Sequence, residues 1–354
     1  MGVSRQEKVL FETLDRFGIV TLNRPEVLNA LDLEMVRLIH AQLVTWQDDP
    51  SILGVVFRGA GPKAFCAGGD IRAMYASRLE KTPVLGRFFD EEYALDCLIH
   101  RYPKQTVALM DGVVMGGGMG IGQGCQVRVM TERTRVAMPE TLIGMFPDVG
   151  ASYFLARIMY PLALYIGMTG DTLSGRDAFR CGLADVLLPS EQLDDLPVLL
   201  ERVQRGSLKD AVSAPVVSSS VPDVLSLEVS HAVERHFSSG DAAAIMASLM
   251  TEQGVSECNA WIEATLGRMR RNSPLMMQVT YEQLRRGRSL ALEACFAMER
   301  TMMRHCFEHG DAMEGIRALA IDKDHAPSWQ HRSVKEVTPE EVERFFNEEA
   351  PIPE

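Results

Sequence analysis

No two of the seven cysteines are spaced as CxxC, so a thioredoxin-type redox motif and a paired-cysteine zinc ribbon are excluded. Cys125, Cys181 and Cys295 sit inside apolar runs, where a reduced thiol behaves as a small hydrophobe, and a reducing compartment is expected. Long hydrophobic runs are missing too: no stretch approaches the ~20 continuous apolar residues of a membrane helix. The start, MGVSRQEKV, lacks the apolar core of a signal peptide, and Gly2 is not followed by the Ser or Thr of a myristoylation signal. A soluble, cytoplasmic protein is the expectation. Basic charge is scarce, with 36 Lys and Arg against 48 Asp and Glu and a net charge of −12, which argues against nucleic acid or an anionic membrane as partner. The chain also contains no strict GxGxxG, no GxxxxGK[ST] and no GxSxG. Dinucleotide, phosphate-loop and Ser-elbow chemistries are therefore unsupported.

What is present is an ordinary globular composition, 46% hydrophobic and 24% charged over 354 residues, enough for one large domain or two modest ones. Val9 to Thr13 and Gly18 to Leu22 read as paired strands. An apolar helical face follows at Leu33, Val36, Leu38, Ile39, Leu43 and Val44, then a buried strand at Leu53 to Phe57. The rhythm returns with Val107 to Met110, a Gly-rich helix start near Gly116, and Gln126 to Met130, which predicts an α/β core of repeated β-β-α units. Val212 to Pro222 is rich in Ser, Val and Pro and reads as a linker. Beyond it, Asp241 to Met250, Asn259 to Arg270, Met276 to Arg286 and Leu290 to His305 read as helices. The expected division is a core over 1–200 and a linker with a helical region over 201–354.

Chemistry concentrates in two Gly-rich turns, AFCAGGDI (Ala64 to Ile71) and MDGVVMGGGMGIG (Met110 to Gly122), each after an expected buried strand. Glycines let backbone N–H groups approach a ligand closely, and two such donors converging on one point make an oxyanion hole. Downstream, AMPETLIGMFPDVGAS (Ala137 to Ser152) sets two carboxylates, Glu140 and Asp148, in an apolar stretch. Carboxylates in apolar surroundings acquire raised pKa values and serve as acids, bases or nucleophiles. Blander readings stand beside this one: Glu140 as a helix N-terminal residue after Pro139, and Asp148 as a helix cap.

Taken in order, NRPEVLNAL (Asn23 to Leu31), AFCAGGDI, DGVVMGGGMG and MPETLIGMFPDVGAS resemble the motif series of the crotonase superfamily. TGDTLSGRDAFRCGLAD (Thr169 to Asp185) continues the resemblance, and EGIRALAIDKDHAPSW (Glu314 to Trp329) is similar to the C-terminal signature of that superfamily's 3-hydroxyisobutyryl-CoA hydrolases. The resemblance implies a spiral of β-β-α turns with a helical C-terminal region. It also implies an acyl-CoA substrate, of which coenzyme A is a part rather than a separate cofactor, and a thioester carbonyl held by the N–H groups of Gly69 and Gly117. Glu140 and Asp148 are the implied catalytic carboxylates, with Glu92, Ala67 and Asp70 at the substrate. A short 3-hydroxyacyl-CoA thioesterase placed in valine breakdown is the leading expectation, and a homo-oligomer is an allied one. An isomerase or hydratase of the same fold is the alternative, although Gly120 stands where a paired-Glu hydratase resembling this chain carries its first Glu. A catalytically silent binding protein is a third reading, against which the retained glycines and carboxylates weigh.

No metal is expected, since the eight His residues are scattered and the pair His305 and His309 lies one helical turn apart without a neighbouring Glu motif. Cys66 reads as a packed thiol rather than a nucleophile. The Arg clusters Arg268, Arg270, Arg271 and Arg285, Arg286, Arg288 read as solvated helix faces, with Arg24 and Lys323 as alternative cations for the phosphates of CoA.

Overall fold

The computed structural model describes residues 7–205 and 222–347, so the expected linker at 212–222 falls outside the described residues except for Pro222. The chain divides into two compact units, which interleave rather than meet at a single boundary near residue 200. One comprises Met1–Asp70, Ala94–Ala137 and Thr172–Val224; the other comprises Ile71–Tyr93, Met138–Asp171 and Leu225–Glu354. The physical reason is that 71–93 and 138–171 are helical excursions between strands, and their contacts are made with the later helices.

The first unit holds the strands: β1 (Val9–Leu14), β2 (Phe17–Leu22), β3 (Gly54–Gly59), β4 (Ala64–Cys66), β5 (Gln105–Met110), β6 (Val113–Met115), β7 (Val127–Thr131), β8 (Arg135–Ala137), β9 (Leu173–Ser174) and β10 (Val186–Leu188). They form a six-stranded sheet in the order β1-β2-β3-β5-β7-β10 and a four-stranded sheet in the order β4-β6-β8-β9. β1 and β2 make a hairpin whose turn residues, Asp15 and Arg16, both have positive φ, as a two-residue turn matched to strand twist requires. From β2 to β10 the larger sheet is parallel. The pairs β3/β4, β5/β6 and β7/β8 each send their first strand to the larger sheet and their second to the smaller. In both sheets one pair's contribution lies beside the next, so the β-β-α repeat is realised as two sheets that advance in step. The three-residue strands of the smaller sheet were not expected from the sequence, being too short to show a period of two.

Parallel strands are covered on both faces, and β2 is accordingly buried along its whole length. Phe17, Ile19, Val56, Val107, Val129 and Val186 pack with Leu199, Leu200 and Val203 of the helix Leu196–Gln204. The helix Leu33–Asp48 buries Met35, Val36, Ile39, Leu43 and Trp46, while Leu38 and Val44, expected on its apolar face, are exposed.

In the second unit the helix Tyr160–Thr169 is apolar all round and buried. Around it pack Leu227–Phe237, Asn259–Arg271 and Pro274–Gly287. Tyr165 is its anchor: Phe237 lies edge-on at 5.3 Å and Trp261 Nε1 donates to the phenol oxygen at 3.1 Å. Arg268 departs from the solvated face expected of it by pairing with buried Asp171 at 2.7 Å, whereas Arg270 and Arg271 are exposed. Among the described residues no helix is long and apolar enough to cross a membrane.

Two helical glycines give opposite expectations. A Cβ on Gly118 would stand 2.3 Å from the Cys66 carbonyl oxygen, whereas one on Gly267 meets nothing within 4 Å. Thermal unfolding of Gly118→Ala should show a loss of about 1–3 kcal/mol from overpacking, and Gly267→Ala a gain of up to about 1 kcal/mol from helix propensity. Equal effects from the two would refute this packing.

Candidate active site

In the first unit, neighbouring strands β4 and β6 of the smaller sheet deliver both Gly-rich turns to the same place. Beyond β4 the chain bends at Gly68, whose φ of +103° excludes ordinary side chains, and a Cβ there would lie 3.6 Å from the Gly117 nitrogen. Leu31 donates to the Gly68 carbonyl at 2.8 Å and accepts from the Asp70 N–H at 2.8 Å. Those two bonds straddle Gly69, so by the alternation of an extended strand its own N–H faces away from Leu31. Gly116, with φ 46° and ψ −122°, opens the helix Gly117–Gly124. The Gly117 N–H is thus one of the first-turn donors that have no acceptor within the helix, at the positive end of its dipole. Nothing among the described residues hydrogen-bonds to the N–H of Gly69 or of Gly117. Ala67 and Asp70 shape the turn: the Ala67 N–H donates to Leu28 O at 3.0 Å, and the Asp70 carboxylate accepts from Arg24 at 3.2 Å. Cys66 is fully buried beneath the turn and accepts from the Gly68 N–H, in keeping with a packed thiol.

The second unit contains the carboxylates. Glu140 opens the helical turn Glu140–Ile143, which closes on Gly144 at φ 72°, where a Cβ would strike the Asp311 carbonyl oxygen at 2.3 Å. Glu140 is 5% exposed and its Oε2 has no hydrogen-bond partner. Burial first, and the charge of Asp148 second, raise its pKa well above the usual carboxylate range. Asp148 is equally buried and accepts from the Tyr93 hydroxyl at 2.8 Å. Desolvation pushes its pKa up to about 7, against the lowering effect of that hydrogen bond.

Asp148 is not the cap of the helix that follows. Glu299, fully buried on the helix Leu292–Glu308, accepts from the N–H groups of Gly150 at 2.7 Å and Ser152 at 2.8 Å, and so holds the start of Ala151–Phe154. Burial raises the Glu299 pKa to about 8. Between Asp148 and Gly150, Val149 has φ 53°, a conformation costly for a β-branched residue. Gln283 adds support by donating to Pro147 O at 2.5 Å and to Ser152 Oγ at 2.9 Å. Glu92 is buried beside Tyr93 and helps raise the pKa of its phenol, behind desolvation and the charges of Asp148 and Glu299.

The structure thus brings Glu140 together with Asp148, and the turn of Gly69 together with Gly117. Tyr93, Glu299 and Gln283 were not singled out by the sequence, because a Tyr between helix residues and a Glu within ten residues of four other charges look like ordinary packing and surface. Arg24, a candidate phosphate ligand, donates to Ala30 O and pairs with Asp70 and Asp32. Lys323 is exposed. A cavity of about 460 Å³ walled by Phe89, Met303 and Phe307 carries Arg78, Lys81 and Arg304.

Residues 17–346 match the family described as enoyl-CoA hydratase/isomerase. The chain is 38% identical to the mitochondrial 3-hydroxyisobutyryl-CoA hydrolase of Danio rerio, covering 98% of this chain and 91% of that one. Against the Homo sapiens protein of the same name it is 37% identical, over 96% and 88% of the two chains. Among solved structures it is similar to an enoyl-CoA hydratase from Rhodobacter sphaeroides 2.4.1, with TM-score 0.84, 34% identity and coverage of 96% and 97%. A carnitinyl-CoA dehydratase from Mycobacterium thermoresistibile gives the same score and identity over 98% of each chain. The hydrolases' names place them in mitochondria, so the cytoplasmic expectation gains no support from them.

Removing the Glu299 carboxylate leaves two buried N–H groups without acceptors, each costing about 1–3 kcal/mol. Glu299→Ala should therefore lower the melting temperature clearly, and Glu299→Gln, which keeps one acceptor, by less. Circular dichroism melts of both variants check this, and an unchanged Glu299→Ala would refute the capping role.

Proposed function

The chain belongs to the enoyl-CoA hydratase/isomerase family, and on that premise we propose that it hydrolyses the thioester of a short 3-hydroxyacyl-CoA, foremost 3-hydroxyisobutyryl-CoA. What carries the reading is the buried Glu140–Asp148 pair in a chain 38% identical over nearly its full length to a hydrolase of that substrate. The N–H groups of Gly69 and Gly117 receive the thioester oxygen as it becomes an oxyanion, each contributing on the order of 3 kcal/mol. Glu140 delivers the attack, as nucleophile through a mixed anhydride or as base for water. The carbon–sulfur bond breaks and CoA leaves as the thiol with a proton from water. In the base route water's hydroxyl ends on the acid. In the anhydride route water attacks the Glu140 carbonyl, its oxygen stays on Glu140 and a Glu140 oxygen leaves with the acid. Single turnover in ¹⁸O-water separates the two routes, because only an anhydride leaves label in Glu140. Asp148 positions water or the 3-hydroxyl, Glu92 orients the acyl end, and Ala67 and Asp70 contact the substrate beside the first turn. Lys81 and Arg304 suit the phosphates of CoA better than Arg24 does, since no ion pair among the described residues ties them. A place in valine breakdown and a homo-oligomer, the latter measurable by light scattering, belong to the same reading.

Hydration is the second reading, favoured by the names of the similar solved structures. Against it, Gly120 lies inside the buried helix Gly117–Gly124, whose sequence GGMGIGQG contains no carboxylate to serve as a second acid–base group. Incubation with 3-hydroxyisobutyryl-CoA and a thiol reagent should show CoA release, with crotonyl-CoA hydrated slowly or not at all. The opposite pattern would replace hydrolysis by hydration.

Glu140→Gln should lower turnover by about 10²-fold or more. It should leave the melting temperature unchanged or raised, because the variant removes a buried charge with an unpartnered oxygen. Turnover within tenfold of the parent would sink the assignment.

The pH profile tests the partner. Glu140 acts only when ionised, and since its pKa is raised, activity should fall on acidification at a pH well above the ordinary carboxylate range. Asp148→Asn removes the neighbouring negative charge that contributes to that rise, so the acidic limb should move to lower pH while turnover falls by about 10²-fold. An unmoved limb in an otherwise active Asp148→Asn protein would show that the two carboxylates do not share a site.

A further inference from the structure

The geometry points to a divalent transition-metal site at the C-terminal end of the helix Leu292–Glu308, formed by His305, Glu308 and His309. The expectation that no Glu accompanies the His pair does not hold, because Glu308 directly precedes His309. One ring nitrogen of each His and one carboxylate oxygen of Glu308 lie within 4.8 Å of one another. Spacing of i and i+4 puts both imidazoles on one helix face, with ring centroids 5.6 Å apart, and the His309 N–H donates to His305 O at 2.8 Å, which keeps that turn wound.

His305 supplies the independent observation. It is 1% exposed, and its Nε2 stands 3.2 Å from the Asn347 carbonyl oxygen. A carbonyl only accepts, so Nε2 carries the proton and Nδ1 keeps a lone pair. That Nδ1 is buried with no hydrogen-bond partner among the described residues. An imidazole whose N–H is held by a backbone carbonyl, leaving the other nitrogen bare, is the arrangement in which histidines ligate metals. Glu308 and His309 are 31% and 38% exposed, so an ion can enter, the two outer ligands can rotate onto it, and water can complete its shell. A cation there also meets the negative end of the dipole of a 17-residue helix. Two imidazoles and one carboxylate suit zinc, cobalt or nickel rather than magnesium or calcium. Arg78 and Arg304 line the cavity that Glu308 also lines, and their positive charges oppose a cation on that side, so the imidazoles carry most of the affinity.

The test is titration of the full chain, stripped with chelator, with Co²⁺ followed by calorimetry and visible absorption. One equivalent should bind, with d–d bands and no thiolate-to-cobalt charge transfer. His309→Ala should weaken binding by about tenfold or more, and Glu308→Gln by less. His231→Ala, at an exposed histidine far along the chain, should bind as the parent does. Unchanged far-ultraviolet circular dichroism of His309→Ala assures that its fold is kept. Absence of binding, a thiolate band, parental affinity in His309→Ala, or an equal loss in His231→Ala would each overturn the site.

Discussion

One buried carboxylate holds the segment on which the candidate chemistry of the helical unit depends. Glu299 holds the backbone immediately after Val149 by accepting the N–H groups of Gly150 and Ser152. A left-handed valine costs about 1–3 kcal/mol and persists only where its surroundings over-determine it. Here they do: Glu299 fixes the peptide beyond it, Gln283 donates to Pro147 O before it, and the Tyr93 hydroxyl donates to the Asp148 carboxylate between them. Without Glu299, the Gly150 and Ser152 N–H groups lose their acceptor and the strained φ of Val149 loses one of its three supports.

That arrangement concentrates like charge in an apolar place. Glu140, Asp148 and Glu299 all have pKa values raised first by desolvation, and Asp148 raises the other two further. Near neutrality the group therefore carries less than its full negative charge, and its protons belong to the group rather than to single residues. The burial that opposes folding is thus also what holds these carboxyl groups above the ordinary carboxylate range. The glycine turns of the other unit follow a different logic: their donors are peptide N–H groups, which offer positive partial charge without a titrating group.

The glycine turns and the Glu140–Asp148 stretch were legible in the sequence because each is local, a short motif ending an apolar strand or lying between prolines. So were the long strands and the four main C-terminal helices, each within a few residues of its observed limits. What escaped depends on contacts distant along the chain. Tyr93 finds Asp148 across 55 positions and Glu299 finds Gly150 across 149, and neither pairing leaves a mark in its own neighbourhood. Arg268 read as surface for the same reason, since Asp171 lies on another helix connection. Strands of three residues carry too few positions to show alternation, which hid the smaller sheet. A single boundary near residue 200 followed the change in composition, whereas the chain crosses between its two units five times.

The distance from Gly150 to Glu299 also has a meaning in time. Translation at roughly 5–20 residues per second separates the two by on the order of ten seconds or more. Throughout that interval the nascent chain owns both Glu140 and Asp148 but not the carboxylate that disciplines the backbone between Pro147 and Ser152. A newly made chain thus passes through a stage in which Glu140 and Asp148 exist without the contact that fixes the backbone between them and Ser152, and that contact forms only once residue 299 has been made.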